Sequence, residues 1–231
     1  MRCKETDAAQ MAARRQSMLE AGYRLFSEKS IDKVSMPDVA RESGCGIATL
    51  YRYFSTKLEL VVGVGTWAWE HYLDESVFPL PDEEVGPMTA AELLETYLNC
   101  FLDLYRNHSD LLRFNQFFNV YVRGEEADEE QMAPYMNMIR RVERGFRRLY
   151  LKAQADGTVR TDILWEEMFT ETLHIMLAVA TRYAVGLVYT PERGTSAERE
   201  LTLVRQLLLE RYTRHAVREE PKALPPTAKT I

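Results

Sequence analysis

Ser35 to Phe54, SMPDVARESGCGIATLYRYF, is the stretch that decides the fold. Ser35 stands three residues before Asp38, the S-x-x-D spacing in which a serine oxygen accepts from an opening backbone N–H and the acid reaches back to the cap. A short helix therefore begins at Ser35, with Met36, Val39 and Ala40 on its apolar side. Gly44 supplies a positive-φ position that ends this helix and reverses the chain. In the second helix Leu50 and Phe54 fall four apart and share one face, while Thr49, Tyr51, Arg52 and Tyr53 point elsewhere. Two short helices joined by a glycine turn form a helix-turn-helix, with phenol, hydroxyl and guanidinium groups of the kind that meet phosphate oxygens and base edges.

Together with the preceding RQSMLEAGYRLFSEKSIDKVSM and the following STKLEL, this run resembles the amino-terminal DNA-binding domain of the TetR family of bacterial transcriptional regulators. The resemblance covers about the first sixty residues, and T-L-Y-x-Y-F followed by Lys57 is its most specific element. It implies an all-α protein: an N-terminal three-helix helix-turn-helix domain plus a larger C-terminal helical domain for ligand binding and dimerisation. Thr49, Tyr51, Tyr53 and Lys57 match positions that commonly contact phosphates, with Ser35 a further candidate. Ile47, Ala48 and Arg52 match variable positions facing the major groove. The chain departs from the family pattern at Cys45 and Gly46, where valine and serine or threonine are usual, and at Ser30, where glycine commonly closes the first helix. A left-handed cap is less comfortable for serine, so a local difference is expected there.

Composition agrees with a folded globular protein. The chain has 231 residues, 46% hydrophobic and 10% aromatic. Its net charge of -6 looks wrong for a DNA binder until it is divided: residues 1–60 hold ten Lys/Arg against eight Asp/Glu, and the remainder holds nineteen against twenty-seven. The acid is concentrated away from the helix-turn-helix. Cys3, Cys45 and Cys100 are too scattered for a disulfide framework or a metal site. There is no phosphate loop, dinucleotide fingerprint or H-E-x-x-H spacing, so no cofactor and no metal are expected. No apolar run is long enough to span a bilayer, and a cytoplasmic protein without membrane contact is the expectation.

Along the chain, the division expected is 1–56 for the N-terminal arm and helix-turn-helix, 57–215 for the helical ligand-binding and dimerisation domain, and 216–231 for a disordered tail. A polar lead ends in a cap at Asp7. Met18, Ala21, Gly22, Leu25 and Phe26 make the apolar stripe of the first helix, and Arg14 and Arg15 before it read either as solvated charge or as DNA-backbone contacts. Ser55 or Thr56 caps a fourth helix running toward Phe78; Lys57 in its first turn opposes the helix dipole, which suits an external anion, or a plain exposed lysine. Pro79 to Pro87 is the clearest break. Helices follow over residues 89–105, 110–122, a longer segment seamed by Ile139, Val142, Phe146, Leu149 and Ala153, then 165–189 and 196–215. In the last, Leu201, Val204, Leu207, Leu208 and Tyr212 are turned toward a partner. The row Arg140, Arg141, Arg144, Arg147, Arg148 and Lys152 reads as a solvated face, with an anionic ligand or a second nucleic-acid surface as the functional alternatives.

One helix-turn-helix touches only a few base pairs, so the expectation is a homodimer, formed through the two C-terminal helices, on a palindromic double-stranded operator. A partly apolar small-molecule effector is expected in the C-terminal domain, releasing a repressor. Candidates for its pocket are Trp67, Tyr72, Phe101, Tyr105, Phe114, Phe117, Phe118, Tyr121, His174 and Tyr183, with Trp69, Met132, Met136 and Met138 as further apolar groups. The rivals are an enzyme using that pocket, with Cys100 and His174 as nucleophile and base, and a ligand-independent structural DNA binder.

Overall fold

The computed structural model describes residues 4–76, 78–186 and 196–213, with side chains from residue 8 onward. The tail 216–231, His215, Cys3 and the stretch beyond Gly186 up to Tyr189 lie outside the described residues. Among the described residues ten α-helices follow one another: α1 Lys4–Lys29, α2 Met36–Glu42, α3 Ile47–Tyr53, α4 Lys57–Glu75, α5 Asp82–Val85, α6 Ala90–Asn107, α7 Ser109–Gly124, α8 Glu129–Asp156, α9 Trp165–Val185 and α10 Ala197–Tyr212. Among the described residues there is no strand, and the one β-type contact is an isolated bridge between Val159 and Thr213.

Caps set most of these boundaries. Thr56 accepts from the Glu59 N–H at 3.0 Å and starts α4. Thr89 with Glu92 and Asp128 with Gln131 form reciprocal capping boxes for α6 and α8. Gly157, at φ +69°, ends α8 in the left-handed conformation. Three boundaries differ from expectation. α1 is already helical at Lys4, so Asp7 lies within it rather than at its start. α4 stops at Glu75 rather than near Phe78, and the proline-rich break contains the single turn α5. Ser30, at φ +69°, takes the same left-handed conformation that glycine would, in spite of its Cβ.

One apolar core runs through both parts of the chain. α4 is its axis, packing against α1, α7 and α8. Its glycines have a steric purpose. A Cβ on Gly65 would stand 2.8 Å from the Phe118 ring of α7, and one on Gly22 of α1 would stand 2.8 Å from Val64 of α4. Close helix approach outweighs the poor helix propensity of Gly65.

The basic row of α8 is resolved into two sets. Arg141 donates to Asp74 at 2.6 Å and to the Phe78 carbonyl at 2.8 Å. Arg148 donates to Asp82 at 2.8 Å and to the Leu80 carbonyl, and Lys152 donates to the Gly86 carbonyl at 3.1 Å. These three, one helical face apart by seven and four residues, clasp the connection from α4 to α6. Arg140, Arg144 and Arg147 remain exposed.

Of the five α10 residues expected to face a partner, Leu207 is exposed and three are buried within the chain. Leu201, Leu208 and Tyr212 are buried within the chain, and the Tyr212 hydroxyl donates to Glu171 of α9 at 2.7 Å. Val204 is half-buried. Leu203 and Leu207, four residues apart, are each 55% exposed, and Ile175 and Val185 are exposed on α9. Packing against α6 and α9 uses Leu201, Leu208 and Tyr212 of the expected stripe.

Candidate nucleic-acid interface and interior cavity

The helix-turn-helix is assembled by local rules. The Ser35 hydroxyl accepts from the Asp38 N–H, and the Asp38 carboxylate accepts from the Ser35 N–H at 3.0 Å and from its hydroxyl at 2.6 Å. Those bonds, with Arg41 at 2.6 Å, hold the Asp38 carboxyl down to about 2. Gly44, at φ +69°, makes the turn, and the Cys45 N–H closes back on the Ala40 carbonyl at 2.9 Å. Gly46 caps α3 without any side-chain bond, as its lack of a hydroxyl requires.

Leu50 and Phe54 are buried, and they fix the rotation of α3. Opposite them Ile47 is 40% and Tyr51 49% exposed, with Ala48 and Arg52 also exposed and Thr49 and Tyr53 half-buried. The Arg52 guanidinium lies 5.9 Å from the centre of the Tyr53 ring. Ser35, at the start of α2, is exposed too. All eight residues expected at DNA thus keep at least partial access to solvent around one pair of helices.

Lys57 is the exception in direction. Its Nζ donates to the Ile31 carbonyl at 2.7 Å and sits 5.2 Å from the centre of the Tyr121 ring of α7. Burial lowers its pKa, with Asp32 and Glu125 acting the other way. The expected exposed or phosphate-directed ammonium is therefore engaged inside the protein. Arg14 and Arg15 are both exposed, with the Arg15 guanidinium 5.2 Å over the Phe54 ring. A second tie runs from α1 to α7, where the Tyr23 hydroxyl donates to Asp110 at 2.8 Å.

Behind this domain, an apolar cavity of about 80 Å³ lies among α4, α6, α8 and α9, with one residue of α7 in its wall. Of the ten pocket candidates, Tyr72 and Phe101 line it, as do Trp69 and Met138. The other eight do not. Phe114 and Phe118 are spent on the packing of α7, the latter against Gly65. Trp67 stacks on His71 at 5.5 Å and meets Tyr23 edge-on. Tyr121 lies beneath Lys57, and Tyr105 pairs with Tyr183, whose hydroxyl donates to Glu200. Phe117 is half-buried outside the cavity, and His174 is exposed on α9, where it lines an open outer cleft. Met132 and Met136 also lie off the cavity, Met136 being 42% exposed. Periodicity shows which residues face inward but not between which helices a gap is left.

The sequence reading missed Asn115 and Tyr135. Asn115 is 6% exposed in the otherwise apolar stripe of α7, and a polar residue in such a stripe is itself the signal. It accepts from Trp69 Nε1 at 3.3 Å and from the Tyr135 hydroxyl at 3.4 Å. Cys100 also lines the cavity, but its thiol donates to the Thr96 carbonyl at 3.5 Å and burial pushes it up to about 11. That is the opposite of an activated nucleophile, and His174 is not its base. Among the described residues no helix is long and apolar enough to cross a membrane, and no cluster of His, Cys, Asp and Glu could hold a metal.

Residues 18–64 match the family model described as bacterial regulatory proteins, tetR family. The uncharacterized HTH-type transcriptional regulator YvdT of Bacillus subtilis (strain 168) is 28% identical over 104 residues, 45% of this chain and 51% of that protein. The chain thus spans about half the length of this relative. Two solved structures share the fold over nearly the whole chain. The regulator FadR from Bacillus subtilis in complex with stearoyl-CoA aligns at a TM-score of 0.63 and 13% identity, covering 84% of this chain and 97% of that one. A protein from Saccharomonospora viridis in complex with choline aligns at 0.66 and 18%, covering 88% and 100%. Homologues and structural neighbours are transcriptional regulators rather than enzymes. Over residues 18–64 the chain is thus similar in sequence to the tetR family of bacterial regulatory proteins, and its described helices share the fold of both solved structures.

Proposed function

We propose that this protein is a repressor that binds a palindromic DNA operator as a dimer and is released when a small molecule occupies the interior cavity. The observation that carries this is the division of α3, with Leu50 fully buried and Tyr51 half exposed on the opposite side. A helix-turn-helix used only for packing would have no reason to hold Ile47, Ala48, Tyr51 and Arg52 in water. Thr49, Tyr51, Tyr53 and Ser35 meet phosphates, Lys57 joins them when it leaves Ile31, and Ile47, Ala48 and Arg52 face base edges.

Leu203 and Leu207 of α10, with Ile175 and Val185 of α9, form the face that a second copy covers. The two α3 helices then address half-sites roughly 34 to 36 Å apart. α4 connects the sites. Its first turn holds Lys57 and Leu58 against the helix-turn-helix, and its later turns give Trp69, Tyr72 and Leu73 to the cavity wall. A ligand that prefers a displaced α4 changes the spacing of the reading heads, and it shifts the equilibrium only by that preference. The choline and stearoyl-CoA complexes of proteins with this fold support a small-molecule role for the C-terminal domain.

The test is selection of bound sequences from random duplexes, repeated at several salt concentrations. A palindromic consensus with steep salt dependence is expected. Absence of any sequence preference would overturn the regulator reading.

A further inference from the structure

The cavity has a chemistry specific enough to restrict its ligand. Its sixteen lining residues include no lysine, arginine, histidine, aspartate or glutamate. A charged ligand placed there would surrender its hydration without gaining an opposite charge, so a neutral ligand is strongly preferred.

The wall also contains an amide whose donor hydrogens no protein group takes up among the described residues. Trp69 Nε1 carries a hydrogen and can only donate, so the Asn115 atom facing it at 3.3 Å must be the carbonyl oxygen. The Tyr135 hydroxyl supplies a second donor to the same oxygen at 3.4 Å. The amide orientation is thereby fixed, and Asn115 Nδ2, with two hydrogens, donates to no protein group among the described residues. Asn115 as a whole is 94% removed from solvent, and its side chain stands between this cavity and the open outer cleft, lining both.

Size completes the description. A cavity of about 80 Å³ has space for roughly five to eight water centres, or about ten non-hydrogen atoms of an organic molecule.

We propose that the effector is an uncharged, largely apolar molecule of about ten non-hydrogen atoms carrying a carbonyl-type oxygen, which accepts from Asn115 Nδ2 while its hydrocarbon body fills the space beside Phe78, Tyr97, Val142 and Phe146. This rests on the effector role assigned to the cavity above and goes further by naming the ligand class. It sets the protein apart from the structural neighbours in complex with choline and stearoyl-CoA, both of which are charged ligands.

The experiment is calorimetric titration of the full-length protein, without DNA, with four probes of matched size: 2-nonanone, n-decane, octanoate and hexyltrimethylammonium. The ketone is expected to bind at least tenfold tighter than either ion and more tightly than the alkane. In Asn115→Leu the advantage of ketone over alkane disappears while alkane binding persists; in Tyr135→Phe, which leaves the amide hydrogens in place, the advantage remains. Tighter binding of octanoate or of the ammonium, no binding by any probe, or an undiminished ketone preference in Asn115→Leu overturns the proposal. Should Asn115→Leu fail to fold, judged by circular dichroism, the ranking of the four probes on the unaltered protein decides alone. Because DNA is absent from the titration, a failure here leaves the duplex-selection result standing. A chain that binds the ketone but selects no DNA sequence would keep this inference and lose the regulator reading.

Discussion

Lys57 Nζ donates to the Ile31 carbonyl at 2.7 Å, joining the first turn of α4 to the corner between α1 and α2. The bond uses one of the three ammonium hydrogens and gives the lysine an internal partner that competes with a phosphate. Lys57→Met is expected to reduce the slope of log affinity against log salt by about one, the signature of a single lost phosphate contact. An unchanged slope would mean that the lysine stays on Ile31 when DNA is bound. Titration of operator binding between low and moderate salt reads the difference.

Arg52 lies exposed beside Tyr53 at the end of α3, where its fork is able to take the acceptor pair of a guanine. Arg52→Ala should cost about 1 to 3 kcal/mol on the selected operator and relax the consensus at one symmetric pair of positions. Repeating the sequence selection with the variant checks both. A uniform loss at every position would make the arginine a phosphate contact instead.

Leu203 and Leu207 are each 55% exposed, large apolar side chains on one stripe of α10. Replacing both with glutamate sets four acids into any two-fold contact there, and desolvating them opposes association. The variant is expected to sediment as a monomer with unchanged helical content and to bind a full operator at least tenfold more weakly. A persistent dimer would put the interface on a different face.

Ser30 holds φ +69°, a conformation that a Cβ disfavours by roughly 1 to 2 kcal/mol. Ser30→Gly removes that strain and gives back part of it through the freer unfolded chain, leaving a net stabilisation of about 1 kcal/mol. Urea unfolding should show a higher midpoint with the same slope.

The Asp38 carboxyl has its pKa held down to about 2 in the folded protein by the Ser35 bonds and Arg41. A folded pKa below the unfolded one means that the unfolded chain binds more protons between the two values. The stabilising effect of the capping box is complete above the ordinary carboxylate range and is lost as pH falls through about 2. An NMR titration should place the Asp38 carboxyl near that value, and Asp38→Asn should flatten the acid limb of the stability profile. A carboxyl that titrates at its ordinary value would show the box to be open in solution.

The readings that the sequence supplied correctly concern neighbours along the chain. Ser35 with Asp38, Gly44 at the turn, Thr56 and Thr89 as caps, and Leu50 with Phe54 as the anchored face of α3 all depend on bonds or spacings within about four residues. Such interactions are fixed by backbone geometry, so residue order alone determined an all-helical chain with a helix-turn-helix at its start. Tertiary structure decided everything that needed two distant segments at once. It turned Lys57 inward to Ile31, set Arg141, Arg148 and Lys152 on the 74–86 connection, and left Leu203 exposed beside Leu207 while burying Leu201 and Leu208. It also left a gap beside Asn115 rather than beside Phe114 or Phe118. The physical reason is that a period of 3.6 residues fixes which side of a helix is apolar, whereas the neighbour that side meets, and any space left between them, is set by side-chain volumes on helices far apart in sequence.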